Sequence, residues 1–403
     1  MKPSLYKQAE AYAVSAPLLR QSPRHWNPSL LRYGGKLWLA YRHHRREAKQ
    51  RCGICICPID PVTFQPTEKS QFLRFIGVTG TEHHEDCRLF MYHDQPHISY
   101  TEMRGYRPGI DYTCVVKYAR LELSDKGRWS VIEEFHPQYG MNSGHAKEKN
   151  WVFFQQDRFL YSVYSTQPEH KVIRIDKNYA RDEYVTPGPV WHWGLIRGGT
   201  PPIWIGDRWL AVFHSSIPTE VAPHYVRYYA GAYTFSPEPP FNILQVSESP
   251  ILAGSEEDGH QVDPRYVEGW KPYVVFPCGL QHEGDKFLVS LGVNDWQCAI
   301  VRFTLDQLRL GAPDGSSFKP RYFKTTNGSL AVKYTDQSRR IQFLQWKVFK
   351  QGRNGMVGTG YLKTENARDA AEAADHEGAT EITENEYLQA EMGMRFRPTM
   401  IVA

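Results

Sequence analysis

The chain has 403 residues and a formal net charge of +4, from 48 basic and 44 acidic side chains. So even a balance argues against a protein held to nucleic acid by counterion release, and no apolar run reaches the roughly 20 residues of a membrane span. Aromatic residues make up 13% of the sequence, with 11 Trp and 24 Tyr, which favours strands and the packing of sheet on sheet.

Residues 1–22 read as a lead-in that crosses or closes the repeats beyond it. They hold no apolar core of signal-peptide length. From residue 23 to 363 one unit recurs five times: a strand, a tight polar turn, a second strand, a gap, then a third strand. The hairpins are LLRYGGKLWLAY (30–41), RLFMYHDQPHISY (88–100), WVFFQQDRFLYSVY (151–164), PIWIGDRWLAVFH (202–214) and VVFPCGLQHEGDKFLVSLG (274–292). The third strands are CGICICPI (52–59), YTCVVKYARL (112–121), KVIRID (171–176), YYAGAYTF (228–235) and CAIVRFTL (298–305). A repeat unable to bury its own apolar face must pack on its neighbours. Five small sheets arranged radially make an all-β, five-bladed β-propeller around a central channel.

The basic run from Arg42 to Arg51 reads as a solvated loop. Cys52, Cys55 and Cys57 lack a second ligand pair at zinc spacing, so they read as buried strand thiols. The odd count of seven Cys fits reduced thiols and a cytoplasmic location. After the fifth unit, SLAVKYTD (329–336) and RRIQFLQWKVF (339–349) are further strands, expected to complete the last blade. Residues 364–403 turn Ala- and Glu-rich and read as an acidic helical or mobile tail.

In a propeller the first strand of each blade lines the channel. Residues just before it, and just after the second strand, converge on one mouth. In that register stand Asn27, Ser29, Arg42, Asp86, Lys149, Arg197, His214 and Asp295. Single polar residues at strand ends are ordinary turn chemistry. A ring of amides, carboxylates and cations in one register suits a polyhydroxylated ligand that carries an anionic group. His83-His84-Glu85-Asp86 does not read as a metal cluster, because neighbouring strand residues face opposite ways. Neither a metal nor another cofactor is expected. Trp193, Trp270 and Trp296 read as core first and sugar platforms second.

Six segments, in order, resemble glycoside hydrolase family 130: NPSLLRYGGKLWLAYR, TEHHEDCRLF, EKNWVFF, IRGGTPPIWIGDRWLAVFHS, YYAGAYTFSPEPP and VVFPCGLQHEGDKFLVSLGVND, spanning about residues 25–305. That family comprises five-bladed propellers, mostly β-mannoside phosphorylases, with some hydrolases and related β-mannosyltransferases. The resemblance implies that Asp86, in an ED-x-R motif completed by Arg88, is the catalytic acid. It implies phosphate binding by Arg42, Arg197, His214 and Tyr229. It implies sugar binding by Asn27, Ser29 and Asp295, and we group Arg88 and Lys149 with these. The chain departs from the family pattern at Gln167, where an arginine in an HRP-like motif is usual, and at Cys87, where proline is usual.

The expected function is inverting cleavage or phosphorolysis of a β-glycoside, a β-mannoside, with carbohydrate and phosphate or sugar phosphate as partners. Hydrolysis would need a second carboxylate to activate water, for which Glu102, Glu148 and Asp295 are the candidates. A glycosyltransferase using a sugar-phosphate or sugar-nucleotide donor is the enzymatic alternative. A non-catalytic carbohydrate-binding propeller is the other.

Overall fold

The computed structural model describes residues 5–14, 25–44, 52–76, 83–104, 113–139, 147–218, 226–255, 273–314, 319–324, 330–335, 342–351, 357–364, 380–383 and 386. The chain divides into two compact units, one of residues 3–216 and 228–313, the other of residues 1–2, 217–227 and 314–403.

The larger unit begins with a single helical turn (Leu5–Gln8) and strand β1 (Glu10–Val14). The first sheet then runs β2 (His25–Tyr33), β3 (Lys36–His44), β4 (Cys52–Ile59) and β5 (Gln71–Phe72). The second is β6 (His83–Tyr92), β7 (Gln95–Arg104), β8 (Thr113–Leu123) and β9 (Trp129–Phe135). The third is β10 (Val152–Gln156), β11 (Phe159–Ser165), β12 (Glu169–Asp176) and β13 (Tyr179–Pro187). The fourth holds β14 (Ile203–Trp204), β15 (Trp209–Pro218), β16 (Val226–Phe235), β17 (Ile243–Ser247) and β18 (Leu252–Ala253). The fifth holds β19 (Val275–Glu283), β20 (Lys286–Val293) and β21 (Gln297–Thr304), while β22 (Leu310–Gly311) returns to the edge of the fourth. This is the expected five-bladed propeller.

The hairpins turn where the sequence places two residues that tolerate positive φ. Gly34 and Gly35 have φ of 57° and 73°, and His93 and Asp94 have 50° and 57°. Positive φ at both central residues is what a two-residue turn needs to match the twist of its strands. Between sheets the faces are apolar. Leu31, Trp38, Ile54 and Ile56 of the first pack on Leu89, Ile98, Tyr100 and Leu121 of the second. Phe90, Val116 and Tyr118 of the second meet Phe153, Leu160 and Ile173 of the third. The circle closes where Leu30, Leu39 and Cys55 meet Leu288, Cys298 and Ile300.

The last sheet is completed by β1, not by the late strands expected there. β21 pairs with β1 from Glu10↔Arg302 to Val14↔Cys298. The strand edge of β21 is satisfied by a short segment far away in sequence, and local pattern cannot show that. The late segments form the other unit's sheet, β23 (Lys319–Lys324), β24 (Leu330–Thr335), β25 (Gln342–Gln351) and β26 (Val357–Thr364). There β27 (Thr380–Ile382) pairs with β23. Most of the segment read as a tail lies outside the described residues. Among the described residues, no helix is long and apolar enough to cross a membrane.

The β1 closure rests on Arg302. Its guanidinium binds Glu283 at 2.6 and 3.2 Å, Glu10 at 3.1 Å and the Tyr12 hydroxyl at 2.7 Å, and lies over the rings of Tyr12 and Phe64 at 5.0 and 4.9 Å. Arg302→Ala should therefore lower the unfolding free energy by about 1–3 kcal/mol, read from urea titration. A loss below about 0.5 kcal/mol, the level of an ordinary surface change, would show that β1 holds without this contact.

Candidate active site

The first strands of the first two blades share one irregularity. The β2–β3 register shifts between Trp26 and Ser29, and the β6–β7 register between Glu85 and Arg88. Within these bulges Asn27 has φ 51° and Asp86 has φ 53°. Asn and Asp tolerate this region better than other side chains, and a bulge re-aims its residue. Here it aims the two at each other: Asn27 Nδ2 donates to Asp86 Oδ1 at 2.7 Å. Gly292 gives Asn27 room, because a Cβ there would lie 2.0 Å from the Asn27 Oδ1.

Around this pair the cations gather. Arg42 Nη1 lies 3.8 Å from Asp86 Oδ1. Its Nη2 donates to Glu85 Oε1 and stands 3.4 Å from Cys52 Sγ, and the guanidinium covers the Trp26 ring at 4.7 Å. Lys149 Nζ reaches Glu85 Oε2 at 3.2 Å. Burial works against the charge on Arg42, yet Cys52, Glu85, Asp86 and Asp295 together keep it protonated. Burial likewise pushes the Asp86 carboxyl up, but Arg42, Lys149, Arg88 and the Asn27 hydrogen bond outweigh it and hold the group below the usual carboxylate range.

Arg88 acts on the backbone. Its guanidinium donates to the carbonyls of Gly199 at 2.6 Å, Asp86 at 2.7 Å and Gly198 at 3.3 Å, and to Asn150 Oδ1 at 3.2 Å. Any Cβ at Gly198 or Gly199 would lie within 2.1 and 2.4 Å of the carbonyls of Asn150 and Val212, so only glycine fits this close approach. The expected sugar ligand Arg88 is thus a clasp across the channel, tying the second blade to the fourth. Ser29 is fully buried and its Oγ accepts the Leu89 N–H at 2.8 Å. Its hydroxyl joins the first two blades.

His214 and Arg197 meet through paired backbones, with N–O distances of 2.8 and 3.2 Å. Arg197 is exposed and His214 buried. The His214 ring lies against Phe276 at 4.3 Å and stacks on Tyr228 at 5.7 Å. The tyrosine at His214 is therefore Tyr228, one residue before the expected Tyr229. Tyr229 is fully buried, and alternation along β16 turns it to the opposite face of the sheet. Burial first, then Arg88 and Arg197, depress the His214 imidazole to about 3, with Asp86 opposing. The ring is neutral, and its Nδ1 is buried without a partner among the described residues. Asp86, Arg88 and Arg197 all act electrostatically on His214, so these four lie near one another.

Other candidates are committed elsewhere. Glu102 binds Arg104 at 2.5 Å and Lys117 at 2.7 Å. Glu148 accepts from Trp151 Nε1 at 3.0 Å and the Tyr164 hydroxyl at 3.2 Å. His170, three residues after Gln167, is fully buried on the Phe241 carbonyl at 3.0 Å and so does not replace the missing arginine among the described residues. Gln167, at the departure from the family pattern, clips two backbone groups: its Nε2 donates to Pro189 O at 2.6 Å and its Oε1 accepts from the Ile196 N–H at 2.9 Å. Trp193 packs on Trp191 at 4.7 Å in the core, and Trp270 lies outside the described residues. Glu85 was missed in the sequence, although its place beside Asp86 was a signal.

The family model of glycoside hydrolase family 130, described as β-1,4-mannooligosaccharide phosphorylase, matches residues 9–309. The chain belongs to glycoside hydrolase family 130. It is a carbohydrate-active enzyme acting on β-mannosidic linkages. No curated relative matches it in sequence. Among solved structures it resembles a glycosyl hydrolase from Bacteroides ovatus, with 13% identity, a TM-score of 0.51, and coverage of 78% of this chain and 95% of that one. It also resembles a GH130 structure described with glycoside hydrolases that target β-1,2-mannosidic linkages in Candida mannan, with 13% identity, a TM-score of 0.50, and coverage of 73% and 87%. A β-1,2-mannobiose phosphorylase from Listeria innocua gives 16% identity, a TM-score of 0.49, and coverage of 76% and 94%. At these identities the likeness to solved structures is one of fold.

The neutral His214 has a measurable consequence. As pH falls below about 6.5, the unfolded histidine takes up a proton while the folded one resists until about pH 3. Its contribution to stability is therefore lost progressively as pH falls through that window. Urea unfolding from pH 7 to pH 4 should show a shallower loss of stability for His214→Gln than for the wild type. Equal slopes would mean that His214 takes up its proton as readily in the folded protein as in the unfolded one.

Proposed function

We propose that this GH130 enzyme is an inverting phosphorylase of β-mannosides, with Asp86 as the acid and phosphate seated against Arg42, Arg197, His214 and Tyr228. The observation that carries this reading is the buried carboxyl of Asp86, gripped by Asn27 at 2.7 Å and faced by Arg42 at 3.8 Å. Inversion needs one acid and a nucleophile on the opposite face of the sugar. With phosphate as nucleophile no second carboxylate is needed, and the committed partners of Glu102 and Glu148 fit that economy.

In the reaction, the Asp86 proton passes to the leaving glycosidic oxygen, directly or through a sugar hydroxyl. The C1–O bond breaks with its electron pair on that oxygen, and a phosphate oxygen bonds to C1 from the other side. In the empty site the cations keep Asp86 ionised. A bound phosphate offsets the charge of Arg42 and Lys149, and the sugar displaces water. Both raise the affinity of Asp86 for a proton. Phosphate thus prepares the acid as well as supplying the nucleophile. In this reading Asn27 and Asp295 meet sugar hydroxyls. The seven cysteines, all buried free thiols, support a reducing, cytoplasmic location.

Glycosyl transfer from a sugar phosphate is the second reading, and Gln167 favours it. Where an arginine would add a phosphate contact, this side chain is fixed on Pro189 and Ile196. A donor whose phosphate is already joined to a sugar needs fewer cations.

Incubation with β-mannobiose should give mannose 1-phosphate of inverted configuration only when phosphate is present. Asp86→Asn should keep the fold and slow turnover at least about 10²-fold. Release of free mannose at a rate indifferent to phosphate would defeat the phosphorylase reading. Products formed only from GDP-mannose or mannose 1-phosphate with an acceptor would put transfer in its place.

A further inference from the structure

The seam between the first and second blades carries another concave surface, at the turn ends of the strands. It is a groove of about 1220 Å³. Lys69 and Arg74 flank β5 on one wall, and Lys126 and Arg128 come from the β8–β9 turn on the other. All four are exposed. None of their charged groups has a hydrogen-bond or ion-pair partner among the described residues. Glu68 is the lone carboxylate of the lining, and it is already paired with Lys36 at 2.6 Å.

The floor is rigid. The Trp129 ring is 3% exposed and meets Trp38 edge to face at 5.2 Å. Gln71 of the first blade accepts the Trp129 N–H at 2.9 Å and donates back to the Trp129 carbonyl, so the two walls are held in register. The indole Nε1–H of Trp129 is buried with no acceptor among the described residues. Four cations therefore surround one cavity whose lining holds no free counter-charge.

We propose that this groove binds a compact oligophosphate, free or carried on a sugar, at a site separate from the catalytic mouth. Cations on two facing walls suit an anion with several phosphoryl groups, which accept from guanidinium forks and ammonium groups at once. A flat membrane surface or a nucleic-acid duplex would reach the rim alone. The groove is remote from the chemistry: Trp38 precedes Arg42 by four residues on β3, roughly 13 Å along the strand, with the first strand's turn beyond it. The inference does not rest on the phosphorylase reading.

The test is calorimetric titration of the full chain with tripolyphosphate and, separately, fructose 1,6-bisphosphate. Excess orthophosphate fills any single-phosphate site. Lys126→Glu/Arg128→Glu and Lys69→Glu/Arg74→Glu change exposed, unpartnered side chains on opposite walls. Each double variant should weaken binding at least about tenfold, raised salt should weaken it in the wild type, and β-mannoside cleavage should be unchanged. The tighter of the two probes identifies the source of the phosphates. Failure of both probes to bind, equal binding by the variants, parallel loss of cleavage, or stronger capture of phosphatidylserine vesicles than of either probe would each overturn the proposal.

Discussion

A charge buried in the channel of a propeller must find a partner, and that requirement organises the site. Stranding one member of a buried pair costs about 3–5 kcal/mol. Here Glu85 is shared by Arg42 and Lys149, and Asp86 is shared by Asn27 and Arg42. Among the described residues Arg88 pairs with no carboxylate and instead takes the carbonyls of two blades. Charge and architecture are therefore the same problem in this molecule. The residues that set the proton affinity of Asp86 also hold the blades around it.

The repeat supplies the geometry. Asn27, Asp86 and Asn150 adopt positive φ, at 51°, 53° and 64°, where the first strands of three successive blades begin or bulge. Each carries a side chain that tolerates the left-handed region. Gly198 and Gly199 take the corresponding approach on the fourth blade, where Pro201 and Pro202 have no N–H to extend the ladder. One irregular feature, repeated around a closed ring, points short polar side chains at a common axis. The long cations then reach inward from neighbouring strands.

Much of this was legible in the sequence, for a physical reason. The five hairpins announce themselves by alternation and by turn residues such as Gly34-Gly35, which are local properties. The convergence of Asn27, Arg42, Asp86 and His214 came from counting equivalent positions in each unit. The features that stayed hidden depend on tertiary pairing. Nothing in EAYAV marks it as the partner of β21, and the late strands have an equally good local pattern. Tyr228 and Tyr229 differ by one position, and in a strand one position is the difference between two faces. The commitment of Arg88 to backbone carbonyls required the fourth blade to be in place. The departure at Gln167 was visible, but its meaning as a backbone clip was not.

The central claim is that the cationic cage holds Asp86 ionised until an anion arrives. Carboxyl carbon NMR of protein labelled at aspartate, with the Asp86 signal assigned by its loss in Asp86→Asn, measures this directly across a pH titration. The account predicts that in the ligand-free protein Asp86 titrates below the ordinary carboxylate range, and that bound phosphate moves its titration upward. An Asp86 signal that titrates at an ordinary carboxylate pH, or one that is unmoved by saturating phosphate, would contradict it.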